Sequence, residues 1–328
     1  MDLGICVASH IGDVDYVVRA EELGYSHAWL ADSQMLWSDC YATLAVAATR
    51  TNKIKLGTGV AITGTRPAPV NAAGIATINA LAPGRTFFGV GAGNTAMRVM
   101  GLPPHRIKQF EQYLQTLVPL LKGEESVLLA GDKSLPIKHI MPDNGFVNFK
   151  DPIPLYISGF GPKSLALAGK YGDGAVLGVN TPETVSGMWH LIQEGAKEIN
   201  RDLKPKENYY TTALTSMVVL EEGEAVDSDR VKSECGAMAM AAASQRRRQR
   251  RARAVRAERR AVGVRAQRRA QTRALLGARE RVEPARHRRR DAEPELVLAA
   301  KRRAHLAERS ERQRRRQRRR IRIRRATR

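Results

Sequence analysis

The sequence predicts a TIM-type (β/α)8 barrel that is incomplete after its seventh unit and is followed by an arginine-rich tail outside the core. Three observations carry this reading. Short apolar runs alternate with helix-spaced segments seven times, the pattern of a parallel sheet with helices outside it. Glycine or polar residues close many of these runs, whereas an open doubly wound sheet, the alternative, concentrates them at one switch point. Charge then divides the chain. It is +22 overall, but Arg246 to Arg328 holds 33 Arg, one Lys and eight Asp or Glu, a net +26 that leaves −4 for the remainder. Residues 1–244 therefore read as one barrel domain, near the about 250 residues usual for the fold, and 245–328 as a low-complexity tail.

The stretch from Ile54 to Asn94 sets the pattern. An apolar run from Ile54 to Ile62, a helix-spaced segment from Pro67 to Leu81 stopped by Ala82-Pro83-Gly84, and a second run from Thr86 to Gly91 make strand, helix, strand. Such a connection is parallel and right-handed. Before it, Leu3 to Ala8 and Ser26 to Ala31 read as strands. Asp13 to Leu23, whose Val14, Val17, Val18 and Leu23 share one face, and Tyr41 to Thr49 read as helices. After it, Pro104 to Leu121 is a helix, and 122–152, rich in Gly, Asp, Asn and Pro, breaks the rhythm as an insertion or small hairpin. Pro154 to Ser158, Gly174 to Gly178 and Tyr209 to Leu220 are the remaining strands. Helices follow them, ending at Lys170, over Pro182 to Ile199 and over Ala225 to Ala243.

Parallel α/β folds bind ligands at the carboxyl ends of their strands, so the residues there are the candidates. Asp32-Ser33 follows the second strand. A carboxylate there serves as a polar contact to a bound ring or as a proton carrier, or else caps a helix near Trp37. Gly57-Thr58-Gly59-Val60 closes the third strand, either as a bulge or tight turn or as backbone that a planar ligand approaches. Arg66-Pro67 beyond it fixes an anion or simply starts the helix. Gly89-Val90-Gly91-Ala92-Gly93-Asn94 ends the fourth strand but misses the dinucleotide GxGxxG spacing. Ser158-Gly159-Phe160-Gly161-Pro162 leads a strand into a helix start, where free N–H groups favour a phosphate, or is a plain strand–helix turn. Lys163-Ser164 after it has the wrong spacing for a P-loop.

Other chemistries find no support. Cys6, Cys40 and Cys235 form no CxxC and no repeated spacing, so they read as small buried residues in a reducing compartment rather than a disulfide or zinc framework. His10, His27, His105, His139 and His190 have no ligand spacing, so no metal is expected. A GxSxG elbow is missing. No apolar run reaches the about 18 residues of a membrane span, and Met1-Asp2 leads straight into a strand-like run, so neither a span nor a signal peptide is expected and the body is placed in the cytoplasm.

Taken in order, several segments resemble the bacterial luciferase-like superfamily of flavin- and deazaflavin-dependent oxidoreductases, in its branch similar to F420-dependent methylenetetrahydromethanopterin reductase. They are Ala20 to Tyr25 (AEELGY), Trp29 to Asp32 (WLAD), Ile54 to Val60 (IKLGTGV), Leu81 to Arg85 (LAPGR), Gly89 to Asn94 (GVGAGN) and Tyr171 to Gly174 (YGDG). The resemblance covers roughly residues 1–243. It implies a barrel with an insertion, a homodimer, and coenzyme F420 or FMN lying across the mouth with its phosphate at the Ser158–Pro162 turn. It also implies a non-proline cis peptide at Gly59-Val60. On this basis Asp32, Ser33 and Asn94 are the catalytic candidates. Asp32, Thr58, Gly59, Val60, Gly93, Asn94, Ser158, Gly159, Phe160, Gly161, Pro162 and Gly178 are the cofactor contacts. Two departures leave the acid–base assignment open: Ser33 stands where many deazaflavin-dependent relatives have His, and Asn94 where some have Glu.

The tail departs from the resemblance, and its composition reads as a shifted reading frame in a GC-rich gene, with a genuine fused basic tail as the alternative. Its sparse apolar residues cannot offset ordering entropy. The expected function is hydride transfer or monooxygenation of a small organic substrate at a flavin-type ring. The alternatives are an inactive barrel remnant and a polyanion binder acting through the tail. The tail has no aromatic residue, so specific nucleic-acid recognition is not expected of it, only non-specific phosphate binding.

Overall fold

The computed structural model describes residues 2–236, except 131, 179–181, 204–208 and 216. The tail and any eighth strand lie outside the described residues. The predicted strand–helix alternation is present as β1 (Gly4–Val7), α1 (Asp15–Glu22), β2 (His27–Leu30), α2 (Cys40–Arg50), β3 (Lys55–Thr58), β4 (Ala61–Ile62), α3 (Ala68–Leu81), β5 (Thr86–Gly91), α4 (Asn94–Val99) and α5 (Ile107–Leu121). Then come β6 (Ser126–Ala130), β7 (Lys133–Ile137), β8 (Leu155–Ser158), α6 (Pro162–Tyr171), β9 (Gly174–Leu177), α7 (Pro182–Lys197) and β10 (Tyr210–Ala213). Seven strands run in the order β1-β2-β3-β5-β8-β9-β10, every pairing parallel, and β4 adds to β5 beside β3. The curled parallel sheet is a TIM-type barrel wall with its helices outside.

Three elements differ from expectation. The single apolar run 54–62 is two strands, because β3 pairs Leu56 with Thr86 while β4 pairs Ala61 with Val90. The first interval is one residue longer than the second, so Gly59-Val60 contains a bulge. A one-residue slip turns every later side chain to the other face, and Ile62 comes to lie beside Gly91. The long strand expected over 209–220 is only β10, because its neighbour β9 ends at Leu177, whose carbonyl accepts the last rung from Leu214 N–H. Of the helix expected over 225–243, residues 229–236 are helical, 225–228 form a turn instead, and 237–243 lie outside the described residues. The segment after α5 forms the two-stranded antiparallel ribbon β6–β7. Its return is fastened by buried Asn79 of α3, whose side-chain amide donates to the carbonyls of Asn148 and Asp151 at 2.9 Å each.

Outside the sheet, Leu44, Ile75, Phe88, Phe110, Leu114, Leu117 and Ile157 belong to one buried layer between strands and helices. Inside it, aromatic rings pack one on another: Trp29 on Phe87 (centroids 4.3 Å apart), Phe87 on Tyr156 (5.4 Å), Tyr156 on Tyr210 (5.0 Å) and Tyr210 on His27 (5.2 Å). Phe87 and Tyr156 occupy room left by a glycine on a neighbouring strand. A Cβ on Gly57 would stand 2.4 Å from the Phe87 ring, and one on Gly174 2.8 Å from Tyr156. Among the helices, α6 and α7 touch backbone to backbone. A Cβ on Gly169 would lie 1.9 Å from the Ile192 carbonyl oxygen, and one on Gly195 2.1 Å from that of Ala166.

His27 sits in this interior at 1% exposure with Nε2 unpartnered and Nδ1 2.9 Å from Ser26 Oγ. Burial, helped by the Lys55 charge and opposed by Asp2, holds its pKa down at about 4. The unfolded chain therefore binds the extra proton first, between the ordinary value near 6.5 and about 4. Stability is complete above that window and falls as pH drops through it, by about 1.4 kcal/mol per pH unit. His27→Phe should flatten this loss. Melting temperatures at pH 7.5 and pH 5 will show the parent losing more than the variant, and equal losses would refute the assignment.

Candidate active site at the carboxyl ends of the strands

Because β3, β5, β8 and β9 are parallel neighbours, the glycine groups after them stand at one end of the sheet. The Gly59-Val60 peptide is cis, where the family resemblance placed it. Val60 turns across the neighbouring strand: a Cβ on Gly89 would lie 3.1 Å from Val60 Cγ1, and one on Gly91 2.9 Å from Val60 Cγ2 and 3.4 Å from Ser158 Cβ. Trp29 lies underneath, 3.1 Å from the same Gly89 position. Val60, Gly91 and Ser158 thus meet at the strand ends above the aromatic interior.

The other glycines have different surroundings. Gly161 is open, since a Cβ there would meet only Ser164 Oγ, at 4.0 Å. It is the N-cap of α6, and Ser164 Oγ accepts its N–H at 3.2 Å and donates to its carbonyl at 3.0 Å. Pro162 has no N–H, and those of Lys163 and Ser164 have no partner within the helix. Gly159 packs tightly, its Cβ position 3.0 Å from the Ser164 backbone. Gly178 is covered by the Phe160 ring at 2.5 Å. Thr58 is fully buried and donates to the Gly89 carbonyl at 2.6 Å, so its hydroxyl binds β3 to β5. Gly93 has φ +79° and would set a Cβ 2.3 Å from Ile62 Cγ2. Asn94 next to it is exposed and begins α4. Ser33 is buried, and its carbonyl accepts the N–H groups of Leu36 and Trp37 in a turn.

Asp32 is 3% exposed and accepts three hydrogen bonds. Arg66 donates to both its oxygens, at 3.0 and 2.8 Å, and Ile62 N–H donates to Oδ2 at 3.2 Å. The same guanidinium donates to Asp39 Oδ2 at 2.6 Å and lies over the Tyr41 ring, 5.0 Å from its centroid. Burial would lower the Arg66 pKa, but the hydrogen bonds and charges of Asp32 and Asp39 outweigh it and push it up. Burial would raise Asp39, yet the Ala42 N–H and Arg66 hold it below its ordinary value. The helix cap weighed for Asp32 belongs to Asp39, which accepts Ala42 N–H at 3.0 Å at the start of α2. Nor does Arg66 start α3 with a side-chain cap; Pro67 is the N-cap. Sequence reasoning missed Asp39, although Asp directly before the Ala-rich segment at Cys40 is a usual N-cap signal.

A family model described as Luciferase-like monooxygenase matches residues 12–283. The chain belongs to this family. The match passes the change of composition near residue 245 and so runs beyond the described residues. Among similar proteins, the 5,10-methylenetetrahydromethanopterin reductase of Methanolobus tindarius is 34% identical over 200 residues, 58% of this chain and 57% of its own length. An F420-dependent glucose-6-phosphate dehydrogenase of Intrasporangium calvum is 32% identical over 178 residues, 50% of this chain and 52% of its own. The chain thus spans little more than half the length of such relatives. In fold it is similar to the coenzyme F420 dependent tetrahydromethanopterin reductase of Methanopyrus kandleri, with a TM-score of 0.52, 23% identity and 65% of each chain covered. It is also similar to an F420-dependent secondary alcohol dehydrogenase in complex with an F420-acetone adduct, with a TM-score of 0.53, 22% identity, 65% of this chain and 68% of that one.

Gly93 offers a direct check on how this luciferase-like barrel builds its mouth. Gly93→Ala needs a left-handed residue with a side chain and drives a methyl into Ile62. Strain and overpacking together should cost about 2–4 kcal/mol. Gly161→Ala, which meets open space, should cost under about 1 kcal/mol. Chemical denaturation of the two variants beside the parent measures the difference.

Proposed function

We propose that this luciferase-like protein is an oxidoreductase that holds a flavin-type ring, coenzyme F420 or FMN, across the carboxyl ends of its strands and acts on a small organic substrate by hydride transfer or monooxygenation. The observation that carries the reading is the glycine-built surface where the strands open. Gly161 leaves open space at the start of α6, while Trp29 fills the side-chain position of Gly59 and Val60 with Ser158 that of Gly91, which makes a firm floor for a flat ligand. The relatives named above, three of which carry F420 in their names, support the same choice of cofactor class.

In this reading Val60, Gly91 and Ser158 carry the ring on one face. Gly161 and the first-turn N–H groups of α6 take the phosphate, which the helix dipole also favours. When bound, the ring supplies the two-electron centre to which or from which a hydride passes. Asp32, fastened by Arg66, is a fixed polar contact beside that ring. Asn94 and Ser33 are the remaining polar candidates for orienting a substrate or passing a proton. Thr58, Gly93 and Gly178 support the site through packing rather than through direct contact. The protein acts in the cytoplasm as a homodimer. Among the described residues no helix is long and apolar enough to cross a membrane.

The test is a parallel titration of the purified full chain with FMN and with coenzyme F420, followed by absorbance and fluorescence. One of the two should bind and show a shifted spectrum; failure of both would overturn the proposal. Gly161→Asp places a carboxylate against the phosphate in open space, so it should weaken the bound cofactor at least about tenfold without lowering the melting temperature. Unchanged affinity would place the phosphate elsewhere.

A further inference from the structure

We infer that Arg66 is the positioning residue of the strand-end site, acting through Asp32 to hold the β3–β4 bulge at its height, and is not an anion ligand. The inference rests on the functional reading above for its consequence, but not for its geometry. Among the described residues the guanidinium's hydrogen bonds go to protein carboxylates, Asp32 on the inner side and Asp39 on the outer. One cation between two carboxylates leaves the trio net negative, so a substrate phosphate arriving there would be repelled.

The guanidinium is itself held from below. It lies over Tyr41, and Tyr41 cannot tilt. Its hydroxyl donates to Asn71 Oδ1 at 2.8 Å, and the Asn71 amide donates to Tyr113 Oη at 2.5 Å. The ring edge fills the space of a missing side chain, with the Cβ position of Gly74 only 2.9 Å from Tyr41 Cε1. A continuous chain of contacts therefore runs from α5 through α3 and α2 to Arg66, on to Asp32 at the end of β2, and from Asp32 Oδ2 to the Ile62 N–H of β4. Ile62 follows Val60 by two residues, so this chain fixes where Val60 stands above Gly89 and Gly91. Without Arg66, the buried Asp32 carboxylate loses its counter-charge and relaxes away from Ile62.

The test uses the full chain without cofactor. Amide hydrogen exchange in the segment 59–66 should rise about tenfold in Arg66→Met, less in Arg66→Lys, and remain unchanged in β9. The lysine variant keeps a charge and so serves where the methionine variant fails to fold. Unchanged exchange in segment 59–66 overturns the inference, whether or not any cofactor binds. A second measurement reads the affinity for FMN and coenzyme F420 in Asp32→Ala, Arg66→Met and the double variant. If Arg66 acts through Asp32, the double variant binds no more weakly than Asp32→Ala alone. Additive losses would mean that Arg66 acts on its own, which also overturns the inference. Should the parent bind neither cofactor, the functional reading fails, and the exchange experiment still decides the role of Arg66.

Discussion

The structure depends on an exchange of volume across the inside of the sheet: where one strand brings an aromatic ring, its neighbour brings a glycine. Phe87 needs Gly57 and Tyr156 needs Gly174 on the strand beside it, and Gly89 makes room for Val60 and for Trp29 two strands away. Interiors pack at crystal-like density, so a methyl group on any of these glycines has nowhere to go. The rings in turn fill the inner face of the sheet below the mouth. The layer at the strand ends can then be built largely from glycines and small side chains, because the floor beneath it is already filled.

Polar groups divide into two kinds around that floor. Some are joints: Thr58 to the Gly89 carbonyl, Asn79 to the returning insertion, and Ser9 Oγ to the Ala31 carbonyl at 2.7 Å. Each satisfies a buried group where strands or loops diverge, which such groups require. The Asp32–Arg66–Asp39 set is of another kind. It contains more charge than a joint needs, and burying charge is costly unless it is paired and hydrogen-bonded. All three side chains are so paired, and together they tie the end of β2, the bulge before β4 and the start of α2 to one guanidinium.

Much of the fold could be read from the sequence because strands buried on both faces are apolar runs and helices have an apolar stripe. Thr86 to Gly91 is predicted and found with the same ends. What could not be read has a physical reason in each case. The glycines of Gly57-Thr58-Gly59-Val60 already allowed a bulge, but the division of the run into two strands could not be read, because hydropathy does not register a change of pairing. The six residues of α4 are too few to show a period. The length of β10 is set by where β9 stops, not by its own composition. Local sequence cannot tell a capping Asp32 from a paired one, because its partner Arg66 is 34 residues away. For the same reason Arg66 read as an anion ligand or a helix start. The glycines of the site were legible as a group but not one by one. Only contact with Phe160 distinguishes covered Gly178 from open Gly161.

The seam between α6 and α7 has a mechanical consequence. Gly169 and Gly195 bring two helix backbones into direct contact, leaving no compressible side chains between them to absorb displacement. The two helices are therefore coupled like plates riveted together rather than cushioned. The turn at Ser158–Pro162 is continuous with α6, so it cannot shift without carrying α7 along. Adjusting the reach of that turn to a longer or shorter ligand would require moving a pair of helices, whereas the exposed ribbon β6–β7, fastened by Asn79 at its return, can change length at little expense to the barrel.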